Sequence, residues 1–119
     1  MRILLIEDNA VNVELFDATL EREGHEIVVE RDGNSGQARA LAQPFDLILL
    51  DVQLPKRSGL DVCRALRSAG HREPIVALSA SVLPDEVAQA KAAGCDAFLT
   101  KPVSLGALRA AVRRWDRIA

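Results

Sequence analysis

The sequence predicts an α/β domain in which a five-stranded parallel sheet is covered by helices on both faces. Short aliphatic runs alternate with segments of helical periodicity along the whole chain, which is typical of successive βα units. The runs are continuously apolar rather than alternating, as strands covered on both faces require. The length of 119 residues is that of a single domain, so one domain over residues 1–119 is expected.

The strands are assigned to aliphatic runs bounded by polar residues, glycine or proline. The five predicted strands are residues 2–6, 26–30, 46–50, 74–79 and 97–100. Each interval between consecutive strands is long enough for one helix, and a helical crossover is the usual connection between parallel strands. The strand assignments therefore favour a parallel sheet.

The helices are assigned to the intervals and to the C-terminal segment. The five predicted helices are about residues 10–23, 34–43, 58–69, 84–93 and 104–117. Gly24, Gly70 and Gly94 are expected to end three of them, because glycine readily adopts the left-handed conformation found after a helix. Pro44 stops the second helix, and Ser104 is a candidate N-cap of the last.

Composition and charge exclude several classes of function. Hydrophobic residues make up 49% of the chain and aromatic residues 3%, so the core is expected to be aliphatic. The net charge of −2 argues against non-specific binding of nucleic acid. No apolar run has the length of a membrane span, and no signal-peptide pattern follows Met1. A cytoplasmic protein without a membrane partner is expected.

The last predicted helix is rich in arginine. It carries Arg109, Arg113, Arg114 and Arg117. A solvated helix face is the simplest interpretation, and a docking surface for an acidic partner is the alternative. Binding to nucleic acid is a third and weaker interpretation, because no interleaved aromatic residues or recognition-helix pattern accompany the arginines.

The cysteines and histidines do not form a metal-binding pattern. Cys63 and Cys95 are far apart in the sequence and lack the spacing of zinc ligands, so we expect reduced thiols in the core of a cytoplasmic protein. His25 and His71 each stand alone near a glycine, which favours surface turn residues over ligands.

Polar side chains gather where the predicted strands end. In an open α/β sheet, ligands bind beyond the carboxyl ends of the strands. The carboxyl ends of four of the five strands carry polar residues: Glu7 and Asp8 at the first, Asp51 at the third, Ser79 at the fourth, and Thr100 and Lys101 at the fifth. Each residue alone fits a solvated loop, an N-cap or a surface turn. Their joint occurrence at four strand ends indicates a functional site, whereas the segment at 31–33 after the second strand is expected to be an ordinary turn.

The residue types at these strand ends favour phosphoryl chemistry. Three carboxylates that lie close together repel one another, so at least one pKa would rise unless a cation intervenes. Oxygen ligands suit a hard ion such as Mg²⁺. Magnesium and Lys101 would together offset the charge of a transferring phosphoryl group. A carboxylate in such a site can itself be the nucleophile and form an aspartyl phosphate.

Four segments together resemble the response-regulator receiver domains of two-component signalling, over essentially the whole chain. They are "LLIEDN" at 4–9, "LILLDVQLPKRSGLD" at 47–61, "IVALSA" at 75–80 and "AFLTKPVS" at 97–104. In the second, Pro55 and Gly59 stand at the expected offsets from Asp51. The residues of these segments are similar to those of DivK-type single-domain receivers and of the receivers of hybrid histidine kinases. The resemblance implies a flavodoxin-like (βα)5 architecture.

The resemblance also implies a role for each residue of the site. Asp51 would accept a phosphoryl group from a phosphohistidine. Asp8 and Asp51 would bind Mg²⁺ directly, together with the backbone carbonyl of Gln53. Glu7 would contribute to Mg²⁺ binding through a water, because its side chain is longer than that of the aspartate often found at this position.

A switch is implied by the same resemblance. Ser79 would bond to the phosphoryl oxygen, Lys101 would pair with it, and Phe98 would turn into the space that Ser79 vacates. The readout surface would be the fourth helix, fifth strand and fifth helix. The bond from Lys101 to Pro102 is a candidate cis peptide. Gln53, with Ala80 and Ser81, is expected to influence the lifetime of the phosphorylated state.

The implied partners are proteins. They are a histidine kinase or histidine phosphotransfer protein that donates the phosphoryl group, and a downstream target that reads the switch. Val11, Leu15 and nearby Asn12 on the first helix could contact a partner's helical hairpin, although core packing accounts for Leu15 equally well. A monomer is expected.

Three other functions compete with this one. An aspartate-nucleophile phosphatase also uses a strand-end aspartate with Mg²⁺, but it needs a second aspartate two residues on, where this chain has Gln53. A flavin-binding module would need a phosphate-binding loop and aromatic residues, whereas the loop after the first strand is "EDNAVN". A degenerate receiver that is never phosphorylated would not retain Asp8, Asp51, Ser79 and Lys101 together.

Overall fold

The computed structural model describes residues 1–80 and 83–116. Ser81 and Arg117, to which the sequence assigns functions, lie outside the described residues. The strands are β1 (Arg2–Ile6), β2 (Glu26–Glu30), β3 (Leu47–Asp51), β4 (Ile75–Ser79) and β5 (Ala97–Thr100). The helices are α1 (Ala10–Arg22), α2 (Gly33–Ala42), α3 (Gly59–Ser68), α4 (Pro84–Ala93) and α5 (Leu105–Trp115).

The five strands form one parallel sheet in the order β2-β1-β3-β4-β5. The predicted fold class is therefore confirmed. The strand order reverses direction next to β1, since the chain moves from β1 to one edge and then back across to β3. Ligands bind in the crevice outside such a reversal, beyond the carboxyl ends of the strands.

The side chains of the central strands alternate between two apolar layers, as the two-residue period of a strand requires. Leu4, Leu50 and neighbouring strand residues pack against α2, α3 and α4. Leu5 and Leu49 pack on the opposite face against α1 and α5. Every residue of β3 is buried, so the strand that carries Asp51 is held rigidly on both faces.

The third strand begins and ends one residue later than predicted. Asp46 lies outside the strand, and its carboxylate accepts a hydrogen bond from the Arg2 backbone N–H at 2.7 Å. Asp51 lies inside it, opposite Leu78 in the parallel register. Asp51 therefore ends the strand rather than following it, which fixes its backbone within the sheet.

The segment after β2, expected to be an ordinary turn, begins α2. Asp32 is its N-cap, because Asp32 Oδ1 accepts a hydrogen bond from the Ser35 backbone N–H at 2.8 Å. Ser104 caps α5 in the same way, as predicted, by accepting from the Ala107 N–H at 3.1 Å. Capping bonds of this kind satisfy backbone donors that a helix start leaves free.

The prediction that His25 lies at the surface is wrong. Its side chain is buried, with 8% of the residue exposed, and Nδ1 lies 3.0 Å from the amino group of Met1. Burial, reinforced by the positive amino group, lowers the pKa of His25. His71 follows α3, as its glycine neighbour suggested, but its ring is also largely buried and lies 3.0 Å from Glu73 Oε2.

The arginines of α5 that the structure describes are exposed. Arg113 donates to the carboxylate of Glu23, the C-cap residue of α1, at 3.0 and 3.1 Å. The guanidinium of Arg114 lies 5.1 Å from the centre of the Trp115 ring. In the described part of the chain, none of the helices is both long and apolar enough to cross a bilayer.

Candidate phosphoacceptor site

Three strands deliver charged side chains to one point at the carboxyl edge of the sheet. Glu7 follows β1, Asp51 ends β3 and Lys101 follows β5. Lys101 Nζ lies 3.0 Å from Glu7 Oε1 and 2.8 Å from Asp51 Oδ2. One ammonium group therefore bridges two carboxylates that the sequence separates widely.

Both bridged carboxylates are removed from solvent. Glu7 is fully buried and Asp51 is 1% exposed. Burying a charged group is costly unless it is paired and hydrogen-bonded, and the Lys101 ammonium supplies that pairing. Asp8 is exposed. One oxygen from each of Glu7, Asp8 and Asp51 lies within 4.8 Å of the others, so the site combines a buried pair with a carboxylate open to solvent.

Backbone and amide donors orient the two buried carboxylates. The Gln53 N–H donates to Asp51 Oδ1 at 3.0 Å. The Asn9 N–H donates to Glu7 Oε2 at 3.2 Å, and Asn12 Nδ2 to Glu7 Oε1 at 3.4 Å. Asn9 also caps α1, so the helix start and the acidic site are built from the same loop. Sequence reasoning did not assign Asn9 to the site.

The two buried carboxyl groups differ in pKa. Burial, together with a hydrogen bond to Glu7, raises the pKa of Asp51 to about 6. Burial also acts to raise the pKa of Glu7, but hydrogen bonds with Asp51 and Lys101 outweigh it and the pKa of Glu7 is lowered. The same two carboxylates raise the pKa of Lys101 against the opposing effect of its burial. Near neutral pH, both carboxylates are therefore ionised and face a charged lysine.

A family model for the response regulator receiver domain matches residues 3–113. The chain belongs to the response regulator receiver domain family. It is thus a receiver domain of two-component phosphorelay signalling.

Known receiver domains are similar to this one in both sequence and structure. The sensor histidine kinase AruS of Pseudomonas aeruginosa is 38% identical over 116 residues, which are 94% of this chain and 12% of AruS. The receiver domain of the sensor histidine kinase PA1611 of P. aeruginosa PAO1 matches with a TM-score of 0.87 and 34% identity, over 96% of this chain and 95% of that one. Its structure holds a magnesium ion in the active site cleft.

The chemotaxis response regulator CheY4 of Vibrio cholerae matches with a TM-score of 0.91 and 26% identity, over 97% of this chain and 98% of that one. This receiver domain spans half or less of the length of its first curated relatives. The similarity therefore concerns the receiver domain alone.

A cavity of about 390 Å³ opens beside the acidic site of this receiver domain, beneath α4. Gln53, Ser79, Glu86 and Phe98 are among the residues that line it. Ser79 is buried at the end of β4, and the Lys101 backbone N–H donates to its carbonyl at 2.7 Å. Phe98 is half-buried in β5. Ser79 and Phe98, two residues of the predicted switch, therefore line the same cavity.

The loop that leaves Asp51 packs tightly against it. The Gly59 N–H donates to the Val52 carbonyl at 2.9 Å, and a Cβ at Gly59 would overlap the carbonyl oxygen of Asp51. Only glycine permits this close approach. Within the same loop Lys56 has a φ of 68°, which is unusual for a residue with a side chain. Its ammonium lies 3.7 Å from Asp32 Oδ2.

The structure places most of the predicted site residues in two groups. Glu7, Asp8, Asp51 and Lys101 form the charged cluster, and Gln53, Ser79 and Phe98 line the adjoining cavity. The peptide bond between Lys101 and Pro102 is cis. Thr100, by contrast, is exposed at the end of β5.

Proposed function

We propose that Asp51 is the phosphoacceptor of this receiver domain and takes its phosphoryl group from a phosphohistidine. The observation that carries the proposal is the 2.8 Å contact between Lys101 Nζ and the buried Asp51 Oδ2, beside the carboxylates of Glu7 and Asp8. Asp51 is held by a strand buried on both faces, and the Gln53 N–H orients one of its oxygens. The carboxylate is therefore positioned before a donor arrives.

The donor set of the site fits Mg²⁺. Glu7, Asp8 and Asp51 together carry three negative charges, of which Lys101 offsets one, and all their donor atoms are oxygens, which a hard divalent ion prefers. Asp8 and Asp51 would bind the ion with the backbone carbonyl of Gln53, and Glu7 would act through a water. Bound there, the ion would offset charge on the transferring phosphoryl group.

The residues of the chain account for the transfer itself. A carboxylate oxygen of Asp51 forms a bond to phosphorus as the bond from phosphorus to the histidine nitrogen breaks, and that nitrogen keeps the electron pair. Lys101 can move its hydrogen bonds from the carboxylate to an incoming phosphoryl oxygen. The reaction requires ionised Asp51, because a protonated carboxyl group is a poor nucleophile.

The cavity beneath α4 supports a switch that follows phosphorylation. The new group adds negative charge and acceptor oxygens at Asp51, and the Ser79 hydroxyl at the end of the neighbouring strand can move to donate to them. Phe98 lines the same cavity, so its ring can turn into the space released. The change would be read on the face formed by α4, β5 and α5.

The partners are proposed to be a histidine kinase or histidine phosphotransfer protein and a downstream target. Val11 is 64% exposed and Leu15 is 48% exposed on α1. Leu15 is therefore not part of the core, and both side chains can contact a helix of the phosphoryl donor.

We propose further that the domain is cytoplasmic and monomeric and that its chemistry is limited to its own phosphorylation and dephosphorylation.

Intact mass spectrometry tests the proposal. Incubation with Mg²⁺ and acetyl phosphate is expected to add one phosphoryl group, and EDTA or Asp51→Asn should abolish the gain. Asp61→Asn is the matched control, because Asp61 is an exposed aspartate on α3 paired with Arg64. Equal labelling of the Asp51→Asn protein would contradict the assignment, and rapid turnover of a small phosphate ester would favour a phosphatase.

A further inference from the structure

The two cysteines of the chain, 32 positions apart, are in contact. Their sulfur atoms lie 3.7 Å apart. Cys63 is fully buried in α3, and Cys95 is half-buried in the turn between α4 and β5. The chain has only these two cysteines, so any internal disulfide must join them.

The contact is held in place by groups other than the thiols. Arg67 lies one helical turn after Cys63 on α3, and its guanidinium donates to the Gly94 carbonyl at 3.0 and 2.9 Å. The same group donates to the Asp96 carboxylate at 2.8 Å. Because Gly94 and Asp96 flank Cys95, Arg67 fastens the turn that carries Cys95 to the helix that carries Cys63.

The turn is also shaped to receive that arginine. Gly94 has a φ of 109°, and a Cβ there would meet the Arg67 side chain. Glycine avoids both the overlap and the backbone strain. The backbone N–H of Cys95 donates to the Ala90 carbonyl at the end of α4 at 3.1 Å. Backbone contacts therefore hold Cys95 in place in addition to the contact that its sulfur makes with Cys63.

The two sulfur atoms would have to move only a short distance toward each other to form a disulfide. The bond length is about 2.05 Å, so the sulfurs must close by less than about 2 Å. Cys95 is in a turn rather than inside a helix or strand, and it is the member of the pair that reaches solvent. A small oxidant can therefore meet the pair from the Cys95 side.

We propose that Cys63 and Cys95 form a redox modification site that a peroxide converts into an intramolecular disulfide and a dithiol reductant restores. The thiolate of one cysteine attacks a peroxide oxygen, the O–O bond breaks, and hydroxide or alkoxide leaves with the electron pair. The resulting sulfenic acid is attacked by the second sulfur. The S–O bond then breaks, and the hydroxide takes up the second thiol's proton to leave as water. The two sulfurs are oxidised by two electrons in total, and the peroxide is reduced.

The electrostatic surroundings support this reactivity. The hydrogen bond from the Cys95 thiol lowers the pKa of Cys63, and the guanidinium of Arg67 acts in the same direction. The same hydrogen bond raises the pKa of Cys95, so Cys63 is the member of the pair that supplies the thiolate. A thiolate is the nucleophilic form of cysteine. The second sulfur is already in contact with it, so sulfenic acid at either position is resolved within the same molecule.

The disulfide would fasten α3 to the turn that joins α4 to β5. In the reduced protein this connection includes the Arg67 hydrogen bonds, a hydrogen bond from the Cys63 thiol to the Ala93 carbonyl at 3.3 Å, and side-chain packing. The reduced thiols predicted from the sequence are the starting state of this modification, since intracellular disulfides are usually transient or regulatory. The inference is independent of phosphorylation at Asp51.

Thiol counting and peptide mapping test the inference. The whole chain is treated with hydrogen peroxide, alkylated and weighed. We expect loss of both alkylatable thiols, a mass decrease of two hydrogen atoms, a cross-linked peptide containing Cys63 and Cys95, and full reversal by dithiothreitol. The Cys95→Ala and Cys63→Ala proteins should form no internal cross-link, and either variant suffices if the other fails to fold.

Two results would overturn the inference. One is retention of both alkylatable thiols in the native protein at a peroxide dose that oxidises free cysteine. The other is a product in which the cysteines carry oxygen or join two chains instead of each other. Amide hydrogen exchange in α4 should become slower in the oxidised protein, and unchanged exchange would show that the cross-link does not fasten the turn.

Discussion

Lys101 Nζ lies 2.8 Å from Asp51 Oδ2, although the two residues are 50 positions apart. The contact joins the end of β3 to the loop after β5, across β4, and the same ammonium reaches Glu7. A buried pair of carboxylates is stable here because one cation serves both. The cation is also placed where a phosphoryl group on Asp51 would need it.

Removal of that cation should slow phosphorylation. In Lys101→Ala the two carboxylates lose their shared partner and an incoming phosphoryl oxygen loses a donor, so the rate of labelling by acetyl phosphate should fall about 10²-fold, as for other losses of a preorganised donor. Lys91→Ala, on the exposed surface of α4, is the control and should label at the wild-type rate. Equal rates for both variants would show that Lys101 does not take part in the transfer.

Magnesium binding should weaken in mild acid. The pKa of Asp51 is raised to about 6, so below that pH a proton occupies the carboxylate that the ion needs. The apparent affinity should be nearly constant above about pH 7 and fall up to about tenfold per pH unit below 6, because ion and proton compete. Calorimetric titration with Mg²⁺ between pH 5 and pH 8 measures this dependence.

The Asp51→Asn protein is the control for that titration. It lacks the titrating carboxyl group, so its weaker Mg²⁺ affinity should change much less over the same range of pH. A wild-type affinity independent of pH would contradict both the raised pKa and the use of Asp51 as a ligand.

Gly59→Ala should destabilise the fold, because the new Cβ would overlap the carbonyl oxygen of Asp51. The backbone must shift to relieve the overlap, which should lower the free energy of unfolding by about 1–3 kcal/mol. Gly106→Ala is the matched control: a Cβ at Gly106 meets nothing within 4 Å, and alanine in α5 should stabilise the protein by up to about 1 kcal/mol. Urea denaturation of both variants measures the difference, and equal stabilities would refute the close packing of Gly59.

Ser79→Ala should separate phosphorylation from the conformational response. The variant keeps Asp51 and Lys101, so it should still be labelled, but it lacks the hydroxyl that draws β4 toward the phosphoryl group. The change in amide hydrogen exchange over α4 on phosphorylation should therefore become smaller than in the wild type. Ser68→Ala, exposed at the end of α3, should respond normally. A full response from the Ser79→Ala protein would rule out this hydroxyl as the link.

The parallel sheet and the edge that carries the site could be predicted from the sequence because both follow from local patterns. Continuous aliphatic runs mark doubly covered strands, and parallel strands bring their carboxyl ends to one edge. The end of β3 lies one residue beyond its predicted position, because pairing with β4 places Asp51 opposite Leu78. Strand pairing of this kind leaves no signal within the run itself.

The contacts that the sequence did not reveal are all formed between distant segments. His25 is buried with its ring against the amino group of Met1. Cys63 and Cys95 meet because α3 packs against the turn after α4. The positive φ of Lys56 arises in the loop that Gly59 closes against Asp51. Each of these contacts and conformations is determined by tertiary packing, about which the residue type alone carries little information.

Chemical localisation of the phosphoryl group tests the central proposal most directly. Borohydride reduces an aspartyl phosphate to homoserine, so the protein labelled with acetyl phosphate and Mg²⁺ can be reduced, digested and sequenced by mass spectrometry. Conversion of Asp51 to homoserine, with Asp8 and Glu7 unchanged, is the predicted result. Homoserine at Asp8 with intact Asp51, or a labelled protein in which Asp51 is never converted, would contradict the assignment of Asp51 as the phosphoacceptor.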